Sequence, residues 1–317
     1  MKFPYEEFGF DDVRTYPLES RRSKARLDDF ASPFRRGSGV TGLVDSLPKI
    51  LAGSDLRRVV DALARAHRED GGIVWGLGAH VVKTGLSPVV IDLMERGFVS
   101  AVATNGAGMI HDFEVALAGA TSEDVDEALG PGRFGMAEET GTLLNRAINE
   151  GVDAGLGVGQ AVGKFLHDRA PNHVEASIFA TAHRLEIPVT VHVAVGTDII
   201  HMHPQASGAS LGAGSLRDFR YFVSSVARLE RGVYLNCGSA VLLPEVFLKA
   251  VALARNRGVA LGELTTVNLD FIRHYRPETN VVRRPTGGTD RGISLIGHHE
   301  LLIPLLAAAL IERTSEA

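Results

Sequence analysis

Short apolar runs alternate with longer amphipathic segments from residue 73 to the end of the chain. The runs are apolar on both of their alternating faces, which is typical of strands covered by helices on either side. This alternation predicts an α/β fold, doubly wound, with a mostly parallel sheet and helices on both faces. The predicted strands lie within Ile73–His80, Ser100–Gly108, Pro188–Val195, Gly232–Gly238, Leu264–Phe271 and Arg291–Gly297.

Two of these runs pass directly into glycine-rich turns. The first turn carries Gly76 and Gly78, the second carries Gly106 and Gly108, and a helical pattern follows each. Strand, turn and helix, repeated within Gly76–Leu117, indicate a βαβ unit. A turn without side chains lets the backbone approach a ligand closely, and the N-terminus of the following helix favours a phosphate. The segment therefore predicts a phosphate or dinucleotide site.

Residues 1–45 have no clear hydrophobic period, and we expect an N-terminal arm there, either a solvated tail or an extension that packs on a neighbouring subunit. Residues 46–317 are expected to form a single Rossmann-like ligand-binding and catalytic domain, because they contain no convincing linker. The ligand of such a sheet lies beyond the carboxyl ends of the strands.

Composition narrows the class of protein. Apolar residues make up 45% and charged residues 22% of the chain, as in ordinary soluble domains. The net charge of −5 provides no basic field for nucleic acid. The single cysteine excludes an intramolecular disulfide and favours a reducing, cytoplasmic location. The chain start is unlike a signal peptide, and Leu301–Ile311 is too short to span a bilayer, so we expect no membrane partner.

Polar residues recur where the predicted strands end. His111 followed by Asp112 suggests an acid/base pair, with Asp112 or Glu114 setting the tautomer of the histidine. Asp198, His201 and His203 are the only cluster with metal-ligand character, although a ligand loop or a subunit contact is the favoured explanation of these residues. The GxGxxG dinucleotide fingerprint is not matched, which disfavours an ordinary Rossmann dehydrogenase.

The turn NGAGMIHDFE and the following LAGATS resemble the NAD-binding domain of archaeal-type ornithine cyclodeaminases, which carry Gly-Asn-Ala-Leu-Ala-x-His-Asp-Ile-Glu and Leu-x-Gly-Thr-Ser. Residues 76–122 also resemble the deoxyhypusine synthase-like superfamily of NAD-binding proteins. The resemblance implies NAD as the cofactor. It implies cofactor contacts at Gly76, Gly78, His80, Thr84, Gly85, Asn105, Gly106, Ala107, Gly108, Gly238, Ser239, Ala240 and Asn268.

The same resemblance makes Asp198 the carboxylate that receives a substrate amine. Deoxyhypusine synthase forms a covalent imine on a lysine near its C-terminus, whereas the comparable stretch here offers Arg283 and Arg284. Arginine stays protonated and cannot act as that nucleophile. We therefore expect these arginines to bind a substrate carboxylate, and we expect a reaction other than that of deoxyhypusine synthase.

The sequence thus predicts an NAD-dependent enzyme of amine or amino-acid metabolism, an oxidoreductase or transferase. Its catalytic residues would be His111, Asp112, Asp198, Arg283 and Arg284, and hydride abstraction would convert a small amine or amino acid to an imine. The alternatives are a metal-dependent hydrolase and a non-catalytic NAD-binding sensor. The resemblance further implies a homodimer or homotetramer.

Overall fold

The apolar runs form one sheet of six strands, all parallel, in the order β3-β2-β1-β4-β5-β6. The structure is a computed structural model and describes residues 3–315. The predicted doubly wound α/β fold is confirmed, and each strand lies inside its predicted run. The strands are β1 Ile73–Leu77, β2 Ala101–Asn105, β3 Val189–His192, β4 Val233–Cys237, β5 Thr265–Asp270 and β6 Gly292–Ile296.

Helices cover both faces of the sheet because side chains alternate between two apolar clusters. Trp75 belongs to the cluster that packs against α2, α4, α5 and α13, whereas Val74 belongs to the one that packs against α10 and α11. The helices are α1 Gly39–Ser46, α2 Leu51–Arg68, α3 Ala79–Lys83, α4 Ser87–Glu95, α5 Gly106–Ala118, α6 Val125–Leu129, α7 Glu138–Asp153, α8 Val158–Arg169, α9 Ile178–Arg184, α10 Gly208–Val226, α11 Leu242–Asn256, α12 Tyr275–Pro277 and α13 His299–Ser315.

The outer edge of β3 is closed by side chains of α10. Asp218 accepts hydrogen bonds from the amides of Val191 in β3 (2.8 Å) and Gly159 in α8 (2.9 Å). Burial raises the pKa of Asp218 to about 7, although these amide bonds oppose the shift. The buried carboxyl of Asp218 therefore joins the outer strand β3 to the start of α8. This contact covers an edge to which another strand could otherwise add.

The N-terminal segment divides at α1, which begins within the arm predicted for residues 1–45 and ends at Ser46. Helix α1 packs against α13, and Glu312 accepts hydrogen bonds from the amides of Val40 (3.1 Å) and Thr41 (2.7 Å). The preceding residues are almost all exposed, including Phe8 at 82%. None of the helices in residues 3–315 combines the length and the hydropathy needed to cross a membrane.

Candidate functional site

The strand order reverses between β1 and β4, which is where open α/β sheets bind their ligands. The turns after these strands touch through their backbones. The amide of Gly78 donates to the carbonyl of Cys237 (2.8 Å), and a Cβ on Gly78 would lie 2.3 Å from the carbonyl oxygen of Gly238. Gly238 has φ +73°, a left-handed conformation that favours glycine. The structure thus brings Gly78 and Gly238 together from positions 160 residues apart.

The first turn continues through His80 to Thr84 and Gly85. The Thr84 hydroxyl donates to the carbonyl of His80 (2.8 Å) and fixes the short helix α3. Gly85 has φ +77°, and a Cβ there would meet nothing within 4 Å. Backbone without a neighbouring side chain is therefore exposed on this side of the strand reversal.

Aromatic side chains lie beside this turn, among them the predicted cofactor contact His80 and Phe271, which the sequence did not predict. Phe271 directly follows β5 and is 45% exposed. Its ring centroid lies 5.6 Å from that of His80, and 6.2 Å from that of His298, in a near-parallel stack. His299 is buried beneath them, with Nε2 bonded to the carbonyl of Leu269 (3.0 Å), and its Nδ1 has no hydrogen-bond partner among residues 3–315. The cluster offers a flat apolar surface with a buried acceptor next to it.

The second turn is built differently from the first, because a carboxylate covers it. Asn105 caps α5 by accepting from the amide of Gly108 (2.9 Å), and Ala107 lies half-buried between them. A Cβ on Gly106 would be 1.9 Å from Oδ2 of Asp198. Burial raises the pKa of Asp198, partly offset by His201 and by the Thr197 hydroxyl. The head of α5 is thus already occupied by an acidic group, and we expect it to favour a cation over a phosphate.

The three residues of the possible metal cluster do not converge. Nδ1 of His201 accepts from the amides of Gly196 (3.0 Å) and Asp198 (3.2 Å), so its proton lies on Nε2. His203 turns away towards α7, with Nε2 bonded to the carbonyl of Gly135 (2.8 Å). Within residues 3–315 no group of three or more His, Cys, Asp or Glu side chains could hold a metal ion.

Asp112 does not pair with His111, so the predicted acid/base pair needs correction. Asp112 is buried and accepts from the Ser177 hydroxyl (2.5 Å) and from the Ile178 amide (2.7 Å), which anchors the start of α9. Burial raises the pKa of Asp112 to about 6 against these hydrogen bonds. His111 instead contacts the Thr121 hydroxyl (2.7 Å), which reaches Glu114.

Two predicted cofactor contacts are buried under the turns. A Cβ on Gly76 would lie 2.5 Å from the Tyr234 hydroxyl, so Gly76 makes room for that ring inside the sheet. Asn268 is fully buried, and its Oδ1 accepts from Nδ2 of Asn236 (2.8 Å). The same Nδ2 donates to the carbonyl of Ser239 (2.9 Å). Asn268 therefore supports the turn through Ser239 by way of Asn236, whereas Gly76 accommodates Tyr234, and both lie inside the sheet.

Arg283 and Arg284 lie near the amino ends of the strands, whereas the glycine turns follow the carboxyl ends. After β5 the chain runs back along the sheet through α12 and a π-helical segment, Glu278–Arg283. Its residue Val282 contacts Gly292, the first residue of β6: a Cβ there would be 2.0 Å from the Val282 carbonyl oxygen. Both arginines are exposed, and Arg284 donates to Asn280 (2.8 Å). The expectation that they bind a carboxylate at the site is therefore not supported, because the connecting helix carries them away from it.

Comparison with known proteins gives a likeness in fold. No protein-family model and no curated protein sequence matches the chain. Among solved structures, the complex of AgrE with ornithine and NAD+ has a TM-score of 0.54 at 17% identity, over 83% of this chain and 33% of that protein. The chain thus spans about a third of the length of AgrE. A candidate LOR/SDH protein from Methanococcus maripaludis S2 has a TM-score of 0.52 at 17% identity, over 84% and 71% of the two chains.

A candidate deoxyhypusine synthase from Entamoeba histolytica has a TM-score of 0.54 at 14% identity, over 90% of this chain and 97% of that protein. The fold is deoxyhypusine synthase-like. The resemblance predicted from the NGAGMIHDFE turn is therefore confirmed as a likeness in fold, and the match extends over nearly the whole length of the Entamoeba protein.

Proposed function

We propose that the chain is an NAD-dependent enzyme acting on a small amino acid or amine. The observation that carries the proposal is the contact between Gly78 and Gly238 at the reversal of strand order, where the bare backbone of two turns meets. AgrE, which shares the fold, was crystallised with ornithine and NAD+, so ornithine is the first ligand to test.

The residues at the first turn fit a dinucleotide. Gly78 and Gly238 let the backbones of the two turns meet, a Cβ on Gly85 would have nothing within 4 Å, and Phe271 with His80 offers a face on which a ring can stack. The Ser239–Ala240 turn is held from below by Asn236. NAD bound there would supply a hydride acceptor, and the protein would supply orientation.

The second turn fits the substrate amine. Asp198 presents a carboxylate above Gly106, where it would pair with an ammonium group. His111 lies on the same helix, one turn beyond Ala107, and would transfer a proton at the reacting carbon or nitrogen. A bound amine would thus sit between a fixed carboxylate and an imidazole, beside the turn proposed for the cofactor.

Titration calorimetry with NAD+ tests the cofactor. Ala240→Glu places a negative charge on the turn after β4 and should weaken NAD+ binding by at least about tenfold, whereas Ala252→Glu, on the exposed side of α11, should bind as the native protein does. Absence of any NAD+ binding by the native chain would refute the proposal.

Turnover is tested with NAD+ and a panel of ornithine, arginine and simple amines, with products identified by mass spectrometry. Asp198→Asn should lower turnover about 100-fold, because the amide cannot pair with an ammonium. Glu127→Gln, an exposed carboxylate on α6, is the control and should leave turnover unchanged. NAD+ binding without any product would favour the sensor alternative instead.

A further inference from the structure

His111 is linked to a carboxylate through one hydroxyl group. Its Nδ1 lies 2.7 Å from Oγ1 of Thr121, and this hydroxyl donates to Oε2 of Glu114. The other carboxylate oxygen, Oε1, accepts from the Thr140 hydroxyl of α7 (3.1 Å). Glu114 is therefore held by two hydroxyl groups on separate elements, and its direct distance to Nδ1 is 3.8 Å.

These contacts determine which nitrogen of His111 carries the proton. Partial burial would raise the pKa of Glu114, but contacts with His111, Thr121 and Thr140 together hold it below its ordinary value. An ionised carboxylate only accepts, so the single Thr121 proton points to Glu114. Oγ1 of Thr121 must then accept from His111, which places the imidazole proton on Nδ1 and leaves the lone pair on Nε2.

The carboxylate of Glu114 and the two hydroxyl groups that hold it lie at a cleft in the protein surface. Glu114, Thr121 and Thr140 line a cleft of about 640 Å³ between α5, the loop after it and α7, together with Leu117 and Leu143. Nε2 of His111 makes no hydrogen bond to another residue within the part of the chain that the structure describes. On α5, Ala107, His111 and Glu114 follow each other at helical spacing on one partly buried face, which leads from the second glycine turn to Glu114 at the cleft.

We propose that Thr121 and Glu114 are positioning residues that present His111 as a base with Nε2 free and stabilise its protonated form after it accepts a proton. The Thr121 hydroxyl takes the place of the direct carboxylate contact found in His–Asp pairs. Because Glu114 fixes the direction of this hydroxyl, the hydroxyl in turn fixes the imidazole ring. The proposal rests on the proposed acid/base role of His111, but its geometry can be tested without substrate or cofactor.

The first test is the tautomer of His111, measured by NMR on protein with 15N-labelled histidine, with His111→Asn used to assign the signal. The native protein should show the Nδ1–H form. Thr121→Val, which keeps the shape and removes the hydroxyl, should shift His111 to Nε2–H, and Thr121→Ser should restore Nδ1–H. Glu114→Gln should also give Nε2–H, because its amide can donate to Thr121 and reverse the chain of hydrogen bonds. Nε2–H in the native protein, or no change in Thr121→Val, would overturn the proposal.

The second test separates positioning from substrate binding, once a substrate has been found on the panel above. Thr121→Val should lower kcat by about tenfold with KM within about twofold, since the ring still binds but is no longer oriented. Thr121→Ser should recover kcat. Native kcat in Thr121→Val, or an effect confined to KM, would refute the catalytic part. If no substrate turns over, the proposed function fails while the tautomer result still decides the geometry.

Discussion

Adding one methyl group at Gly106 tests the contact between the second glycine turn and Asp198. The new Cβ would lie 1.9 Å from Oδ2, so the carboxylate would have to move by about 1.5 Å to reach an ordinary contact distance. We expect about 1–3 kcal/mol of destabilisation from such overpacking. Alanine at a helical position otherwise stabilises by up to about 1 kcal/mol relative to glycine.

The two effects separate in a double-mutant cycle followed by urea unfolding. Gly106→Ala should destabilise the native protein by about 1–2 kcal/mol, but should be neutral or stabilising when Asp198→Ala has removed the obstructing group, which gives a coupling of about 2 kcal/mol. Gly130→Ala is the matched control, since its backbone is helical and a Cβ there meets nothing within 4 Å. If the effects of Gly106→Ala and Asp198→Ala add within about 0.5 kcal/mol, the carboxylate does not cover the turn.

Three further changes test the supports of the site. Burial raises the pKa of Asp218 from 3.8 to about 7, so the folded state holds a proton that the unfolded state releases. The contribution of Asp218 to stability therefore declines by up to about 4 kcal/mol as pH rises from about 4 to about 7. Asp218→Asn should remove this decline when the free energy of unfolding is measured across that pH range. Gly238→Ala should lower the free energy of unfolding by about 2–4 kcal/mol, because of its left-handed φ and a Cβ 2.7 Å from the His299 ring, and a calorimetric scan should show the lower melting temperature. Asp112→Ala should destabilise by about 2–4 kcal/mol by leaving buried donors at the start of α9 unpaired, yet NAD+ affinity should not change; a large loss of affinity would restore Asp112 to the ligand site.

The fold was predictable because each strand can be recognised from the apolar residues of its own segment. An apolar run such as Ile73–Leu77, bounded by glycines and buried on both sides, is typical of a strand inside a parallel sheet. The parallel topology then brings the carboxyl ends of all strands to one edge, so the two glycine turns were located correctly from the sequence. Neither conclusion depends on contacts between distant residues.

The chemistry of the individual side chains was less predictable because distant partners decide it. Asp112 accepts a hydrogen bond from Ser177, which lies 65 residues later, and no residue near position 112 indicates that partner. The position of Arg283 was predicted wrongly because it depends on how far the helical segment after β5 runs back towards the amino ends of the strands. Thr121 lies near His111 in sequence, and a hydroxyl next to a predicted base was a signal that could have been used.

The two turns share one motif but differ in charge, and this difference explains how one sheet edge could accept two unlike ligands. The amides of Gly78 and Gly238 donate within the fold, to the carbonyls of Cys237 and Leu269, but the turn after Gly238 leads into the N-terminus of α11, which favours an anion. The turn at Gly106 has the same backbone, but Asp198 occupies the position that a phosphate would take. On the proposed function, a ligand with phosphates and a ligand with an ammonium group would bind at separate places along the carboxyl ends of the strands. The cleft lined by Glu114 and Thr121 lies farther along α5, beyond Gly106 and His111, so a base on this helix would stand between the acidic turn and the cleft.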